Sequence, residues 1–203
     1  MKRALLAAAA LTLSLPTAAL AEPWQIDSAH TSSGFEVTHM LVSTVRGQFD
    51  KTTGTVDIND KDLTKSTLDI TIDASSVNTR NADRDKHLRT ADFFDVEKHP
   101  QITFKSTKVE KGKAKDKLKV TGDLTIRGIT KTVVLDVTYT GKQVASPWGQ
   151  MVRGASAVGT INRKDWDIVW NKTLDAGGLT VSNEVTLVID AELNQPAPAA
   201  KVN

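Results

Sequence analysis

The sequence predicts an all-β fold: about eight or nine antiparallel strands, closed into a barrel or packed as a sandwich, with one short helical cap segment. Three observations lead there. Apolar and polar residues alternate with a period of two through much of the chain. No segment past Glu22 sustains a long helical period. Short turn signals such as "TTG", "NDKD", "KGKAKDK" and "AGG" separate the alternating runs.

The N-terminal stretch stands outside this pattern. Lys2 and Arg3 precede the apolar run "ALLAAAALTLSLPTAAL", and Ala19-Leu20-Ala21 has the A-x-A form of a cleavage site. This predicts a secretory signal peptide over residues 1–21, cleaved after Ala21, and a periplasmic mature protein. The barrel domain is expected over residues 22–192. The polar, Pro/Ala-rich end at 193–203 reads as a disordered tail.

The first strands are the least regular. "SGFEVTHM", "TVRGQF" and "GTVDIN" are short, and the first sends Phe35 and Val37 to one face. "STLDITIDA" is cleaner, with Leu68, Ile70 and Ile72 on one side and Thr67, Asp69 and Thr71 on the other. Past the helical segment, "QITFKS" sets Ile102 and Phe104 against Gln101, Thr103 and Lys105. "KLKVTGDLTIRG" aligns Leu118, Val120, Leu124 and Ile126, and "TVVLDVTYTG" aligns Val133, Leu135, Val137 and Tyr139. "RGITK" between them reads as a hairpin turn. "GQMVRGASAVGTI" is a weak strand and "NEVTLVIDAEL" a strong one. A barrel of about eight strands has room inside for one small ligand.

The interruption is "SSVNTRNADRDKHLRTADFF". Asn81 or Asp83 can cap a helix, Asp85 suits a first turn, and a short helix is expected over Asp83 to Leu88. Thr90 can cap a further turn through Phe94, and Pro100 ends it before the strand at Ile102. This segment is expected to close one barrel end. One of Phe93 and Phe94 would plug the barrel and the other pack beneath the turn. Arg84 and His87, among the mixed charges of "RNADRDKHLR", are candidates for a polar mouth that meets a head group. A solvated helix with locally paired charges is the simpler alternative.

Composition excludes several functions. The chain has 26 Lys and Arg against 24 Asp and Glu, and removal of Lys2 and Arg3 leaves 24 of each. A neutral mature protein is a poor match for nucleic acid, which demands a basic excess. With no Cys, there is no disulfide, thiolate zinc site or Cys nucleophile. His30, His39, His87 and His99 form no metal-binding spacing, and no GxSxG elbow occurs. No catalytic residue, metal or covalent cofactor is therefore expected. Of Trp24, Trp148, Trp166 and Trp170, three lie late in the chain; ordinary core use competes with a ligand mouth.

Five ordered motifs carry a resemblance: "DSAHTSSGFEVTHM" with "VRGQF", "RDKHLRTADFFDVEKHPQITF", "GDLTIRGITKTVVLDV", "RKDWDI" and "VSNEVTLVIDAEL". In their order and combination they resemble the YceI-like family of exported bacterial proteins, over nearly all of the mature chain. The resemblance implies a lipocalin-like antiparallel β-barrel. It also implies an amphiphilic polyisoprenoid ligand, such as an isoprenoid quinone, a precursor or a prenyl phosphate, in an elongated apolar channel. It implies no catalytic residues. Alternation nominates Phe35, Val37, Leu68, Ile70, Ile102, Phe104, Leu124, Ile126, Leu135 and Val137 as inward residues. The expected partners are an isoprenoid lipid and, transiently, a membrane surface. The other readings are an envelope stress-related protein with a barrel filled by its own side chains, and an enzyme or metal protein built on the histidines.

Overall fold

The computed structural model describes residues 23–174 and 177–196. The expected signal peptide lies outside the described residues. The strands are β1 (Trp24–Ile26), β2 (Ser32–His39), β3 (Ser43–Phe49), β4 (Thr52–Asp57), β5 (Thr67–Asp73), β6 (Val77–Asn78), β7 (Gln101–Lys111), β8 (Lys117–Ile126), β9 (Ile129–Tyr139), β10 (Val144–Ala145), β11 (Gln150–Asn162) and β12 (Glu184–Pro196), with one helix, α1 (Ala82–Leu88). All strand pairings are antiparallel. The sheet runs β11-β9-β8-β7-β5-β4-β1-β12 and closes through β12 on β11, an eight-stranded barrel.

Two short pieces do the work of longer strands at the seam. One edge of β12 pairs with β2 through residues 186–190 and with β1 through 193–194. The chain kinks between β1 and β2, where Asp27 accepts from Ala29 N at 2.9 Å and turns the backbone. The opposite edge of β12 pairs with β11 along its full length, from Glu184 against Asn162 to Pro196 against Gln150. The strand therefore continues past the expected boundary at 192 and takes in four residues assigned to a disordered tail, Leu193 to Pro196. Asn194, Gln195 and Pro196 carry no apolar alternation, yet β11 gives their backbone a partner.

Local chemistry fixes the hairpins and close approaches. The β8–β9 connection is Arg127-Gly128, both at positive φ, the two-residue geometry that matches strand twist. Gly54 sits at φ 147°, and a Cβ there would lie 2.4 Å from the Asp69 carbonyl oxygen, so β4 can approach β5 only as glycine. Gly122 is covered by the Phe104 ring, 2.4 Å from where a Cβ would stand. The β2–β3 turn breaks the rule. Met40 and Leu41 both have positive φ, at a cost of about 1–2 kcal/mol per non-glycine residue.

The helical cap forms where expected, one residue longer. Asn81 caps α1 by accepting from Arg84 N at 3.0 Å. Its charged residues are straps to the barrel. Asp85, buried, accepts from Thr79 N at 2.8 Å. Arg89 donates to the Ser75 and Val77 carbonyls, and Arg127 reaches up from its hairpin to the Ala91 and Phe93 carbonyls. So fastened, the segment turns Leu88, Phe93 and Phe94 onto the end of the barrel, and Phe94 meets Phe49 edge-on at 5.3 Å.

Candidate ligand-binding cavity

The barrel is hollow. It holds a cavity of about 300 Å³ with an almost wholly apolar wall. The inward faces follow the alternation: Phe35 and Val37 from β2, Leu68 and Ile70 from β5, Ile102 and Phe104 from β7. Leu124 and Ile126 follow from β8, and Leu135 and Val137 from β9. All ten residues nominated by alternation line the cavity, and so do Phe93 and Phe94 from the cap. Both phenylalanines line the cavity, whereas the sequence places one of them beneath the turn.

The depth of burial along these strands shows where the space lies. Val120, Leu124 and Ile126 on β8 are buried in the packed wall. Phe35, Val37, Leu68, Ile70, Leu135, Val137 and Leu187 point the same way but remain only partly buried. An inward side chain in a closed barrel stays accessible only if its interior neighbours are missing. The gap opens beside β11, whose inward positions are Arg153, Ala155, Ala157, Gly159, Ile161 and Arg163. Ala155 and Ala157 line the cavity with short side chains, whereas at Gly159 the Leu135 side chain takes the place a Cβ would need. This stripe was legible as every second residue of "RGASAVGTINR", but small residues give no hydrophobic alternation.

An arginine marks each end of that stripe. At one end Arg153 is buried, with Nη1 donating to Asp60 Oδ1 at 2.7 Å and Nη2 to Gln143 Oε1 at 2.6 Å. Tyr139 Oη also accepts from it, and its guanidinium lies 4.5 Å from the Trp24 ring centroid. Its Nε is buried without a hydrogen-bond partner. The Arg153 hydrogen bond holds the Asp60 carboxyl below its ordinary range, against desolvation. Such a carboxyl adds stability that is present above its unfolded pKa of about 3.9 and is lost as the pH falls through the folded value. Asp60→Asn is expected to cost about 1 kcal/mol at neutral pH, a modest figure because the Asp60 side chain is 63% exposed. The deficit should close in acid; urea denaturation at neutral and at low pH reads both.

At the other end Arg163 is 4% exposed, and its acceptors among the described residues are all neutral: Ser182 O at 2.9 Å, Ile168 O at 2.6 Å, Trp170 O at 2.9 Å and Asn183 Oδ1 at 3.3 Å. Burial pushes its pKa down. Beside it Trp166, 1% exposed, donates Nε1 to the Leu124 carbonyl. Trp24 and Trp166 are therefore core, and Trp170 packs on the cap. Trp148 is 82% exposed, on the β10–β11 hairpin.

The two polar site candidates lie outside the cavity. Arg84 donates to Thr79 Oγ1 at 2.7 Å and Thr79 O at 2.8 Å, anchoring α1. His87 pairs with Asp92 at 2.8 Å and stacks edge-on against Phe93 and Trp170, each at 5.0 Å. Their side chains are used in holding the cap, and helix charge patterning cannot distinguish that from a ligand mouth. Of the other histidines, His30 joins Asp27 and Glu192, the group of three potential ligand residues found among the described residues. The hydrogen bond to Asp27 raises the His30 pKa and lowers that of Asp27. Asp27 is also held by Ala29 N and Asn194 Nδ2, so the group shapes the β1–β2 kink.

Comparison with known proteins agrees with this architecture. A UPF0312 protein of Staphylococcus aureus is 39% identical over 170 residues, covering 83% of this chain and 95% of the relative. The crystal structure of a Campylobacter jejuni YCEI protein matches with a TM-score of 0.66 at 34% identity, covering 78% of this chain and 89% of that one. Burkholderia cenocepacia BcnA shares the fold, with a TM-score of 0.69 at 23% identity over 82% of this chain and 98% of its own. So does a polyisoprenoid binding domain from Saccharophagus degradans, with a TM-score of 0.56 at 16% identity over 86% and 98%. The model of the YceI-like domain matches residues 24–193, the whole of the barrel but its last three residues, and the chain belongs to the YceI-like family.

Proposed function

We propose that this chain is an exported, periplasmic binding protein that carries an amphiphilic isoprenoid lipid, its tail in the barrel, with no chemistry of its own. The observation that carries this reading is the apolar cavity inside the barrel. Unfilled apolar space is costly, at ~24 cal/mol per Å³ where it is enclosed, and this barrel keeps about 300 Å³ of it. A fold that keeps such a space is built around an occupant. The volume is about twice that of an engineered apolar cavity of ~150 Å³ that stays dry and accepts benzene.

The wall chemistry selects the occupant. Hydrophobic walls offer a hydrocarbon chain dispersion contacts and demand no hydrogen bonds. An isoprenoid quinone, a precursor or a prenyl phosphate supplies such a tail, and a Saccharophagus degradans domain of the same fold binds polyisoprenoids. In a bilayer the tail is already out of water, so the carrier need only match the membrane to load and release it. The basic, apolar and A-x-A series at the N-terminus supports export.

Organic extraction of protein purified from the native envelope, followed by mass spectrometry, tests the reading. The expected extract contains an isoprenoid lipid approaching one per chain, and delipidation is expected to lower the melting temperature, because a ligand bound to the folded state alone stabilises it. Protein that yields no lipid and takes up no added isoprenoid would overturn it.

A further inference from the structure

The β2–β3 hairpin ends in three consecutive exposed apolar residues: Met40 at 46%, Leu41 at 66% and Val42 at 85%. Val42 N donates to His39 O at 3.1 Å, closing a β-turn whose central residues, Met40 and Leu41, have φ of 50° and 63°. Turns of this hand are the usual place for Asn-Gly. Here the backbone holds two long apolar side chains in a conformation that disfavours them and points them at solvent. A local rule broken while most of the apolar surface stays exposed marks a candidate functional position. The stretch Thr38 to Thr44 contains no acid, lysine or arginine, so little charge needs desolvating there.

The tip is part of the rim of the cavity. Met40 N donates to Thr180 O at 2.8 Å, and His39 bridges to Val181. Val181 and Val37, on the two sides of this junction, both line the cavity. Leu41 lies over Gly178, which leaves no room for a side chain beneath it. The tip is therefore tied to the wall at the barrel end that α1 caps.

We propose that Met40, Leu41 and Val42 are a membrane-docking tip that enters the surface layer of a phospholipid bilayer and sets this end of the barrel against it. The proposal rests on the carrier reading and names where the lipid is exchanged. A bilayer suits this surface better than a protein does. Three side chains on a convex turn cannot cover the roughly 800 Å² per partner of a stable protein interface. A bilayer surface needs no matching contour and rewards apolar area alone. The rival is Trp148, with Val144 at 62% exposed, on the β10–β11 hairpin at the opposite end.

The chain has no Cys, so one can be placed at will. Val42→Cys and, separately, Trp148→Cys are labelled with an environment-sensitive dye and mixed with vesicles of phosphatidylethanolamine and phosphatidylglycerol. A blue shift at position 42 with none at 148 is expected. A shift at 148 alone, at neither site, or at 42 without vesicles as the protein is concentrated would overturn the proposal; the last would mark self-association. In a second arm, Leu41→Asp combined with Val42→Asp should slow uptake of geranylgeraniol from vesicles at least tenfold. Its equilibrium uptake from a vesicle-free dispersion and its melting temperature should match the parent. Uptake from vesicles at the parent rate would also overturn the proposal. If the parent takes up geranylgeraniol from neither source, the carrier reading fails, and docking is judged on the label at position 42 alone.

Discussion

Ala157→Trp is expected to abolish lipid loading while leaving the lipid-free protein at least as stable as its parent. Ala157 lies midway along β11, paired with Val137 on one side and Ile189 on the other, and all three line the cavity. The indole would occupy space that is otherwise void. Filling a cavity commonly adds about 0.5–2 kcal/mol. For a domain of this length that raises the melting temperature by a few degrees, at roughly 2–4 °C per kcal/mol. The same ring occupies the volume the tail needs, so extractable lipid should fall at least tenfold. A barrel filled by its own side chains behaves in the opposite way. There the added ring is over-packing, costs about 1–3 kcal/mol and removes no lipid. Melting of delipidated proteins and mass spectrometry of their extracts separate the two, and the comparison must be lipid-free because bound lipid itself raises the melting temperature. A destabilised variant whose parent never carried lipid would end the carrier reading.

Ala157 also shows where the sequence stops being legible. Period two places a residue on the inside or the outside of a sheet, and on β5, β7, β8, β9 and β12 it does so because most inward positions are bulky and apolar. It cannot say whether the inward side chains meet in the middle. That depends on how the strands close and on the sum of their volumes, which no single strand carries. On β11 the inward face is charged at its ends and small in its middle, at Ala155, Ala157 and Gly159, so alternation was weak on a strand that lines the cavity. Two-residue strands such as β6 and β10 have no period to read. The strand at Asn194 to Pro196 exists because β11 pairs with it, a long-range cause that composition hides. The cap was placed correctly because Asn81 and Pro100 act locally. The roles of Arg84 and Arg89 were not legible, since their acceptors, at Thr79, Ser75 and Val77, were fixed only by folding.

Arg163→Met should be the most destabilising of the substitutions considered, at about 2–4 kcal/mol and a loss of about 5–15 °C in melting temperature. The side chain is a buried cation with no carboxylate partner among the described residues, so its worth there does not come from an ion pair. Three backbone carbonyls, on Ser182, Ile168 and Trp170, use its N–H groups as their donors. These carbonyls belong to the two ends of the irregular segment that joins the Arg163–Trp166 turn to β12, and the guanidinium holds them together. Methionine fills much of the same volume and removes the desolvated charge, which is a gain. It leaves the carbonyls unpaired, each at a cost of about 1–3 kcal/mol unless the segment opens to water. Opening is the cheaper response, so part of the penalty should be recovered as local disorder. Amide exchange should then speed up around residues 167–174 and 177–183 while the β7–β8–β9 wall stays protected. Arg163→Lys should fall between parent and Met, because one ammonium cannot reach acceptors that a planar fork spans. A Met variant as stable as the parent, with unchanged exchange in this segment, would mean that the carbonyls find water at no cost and that Arg163 does not hold the barrel end.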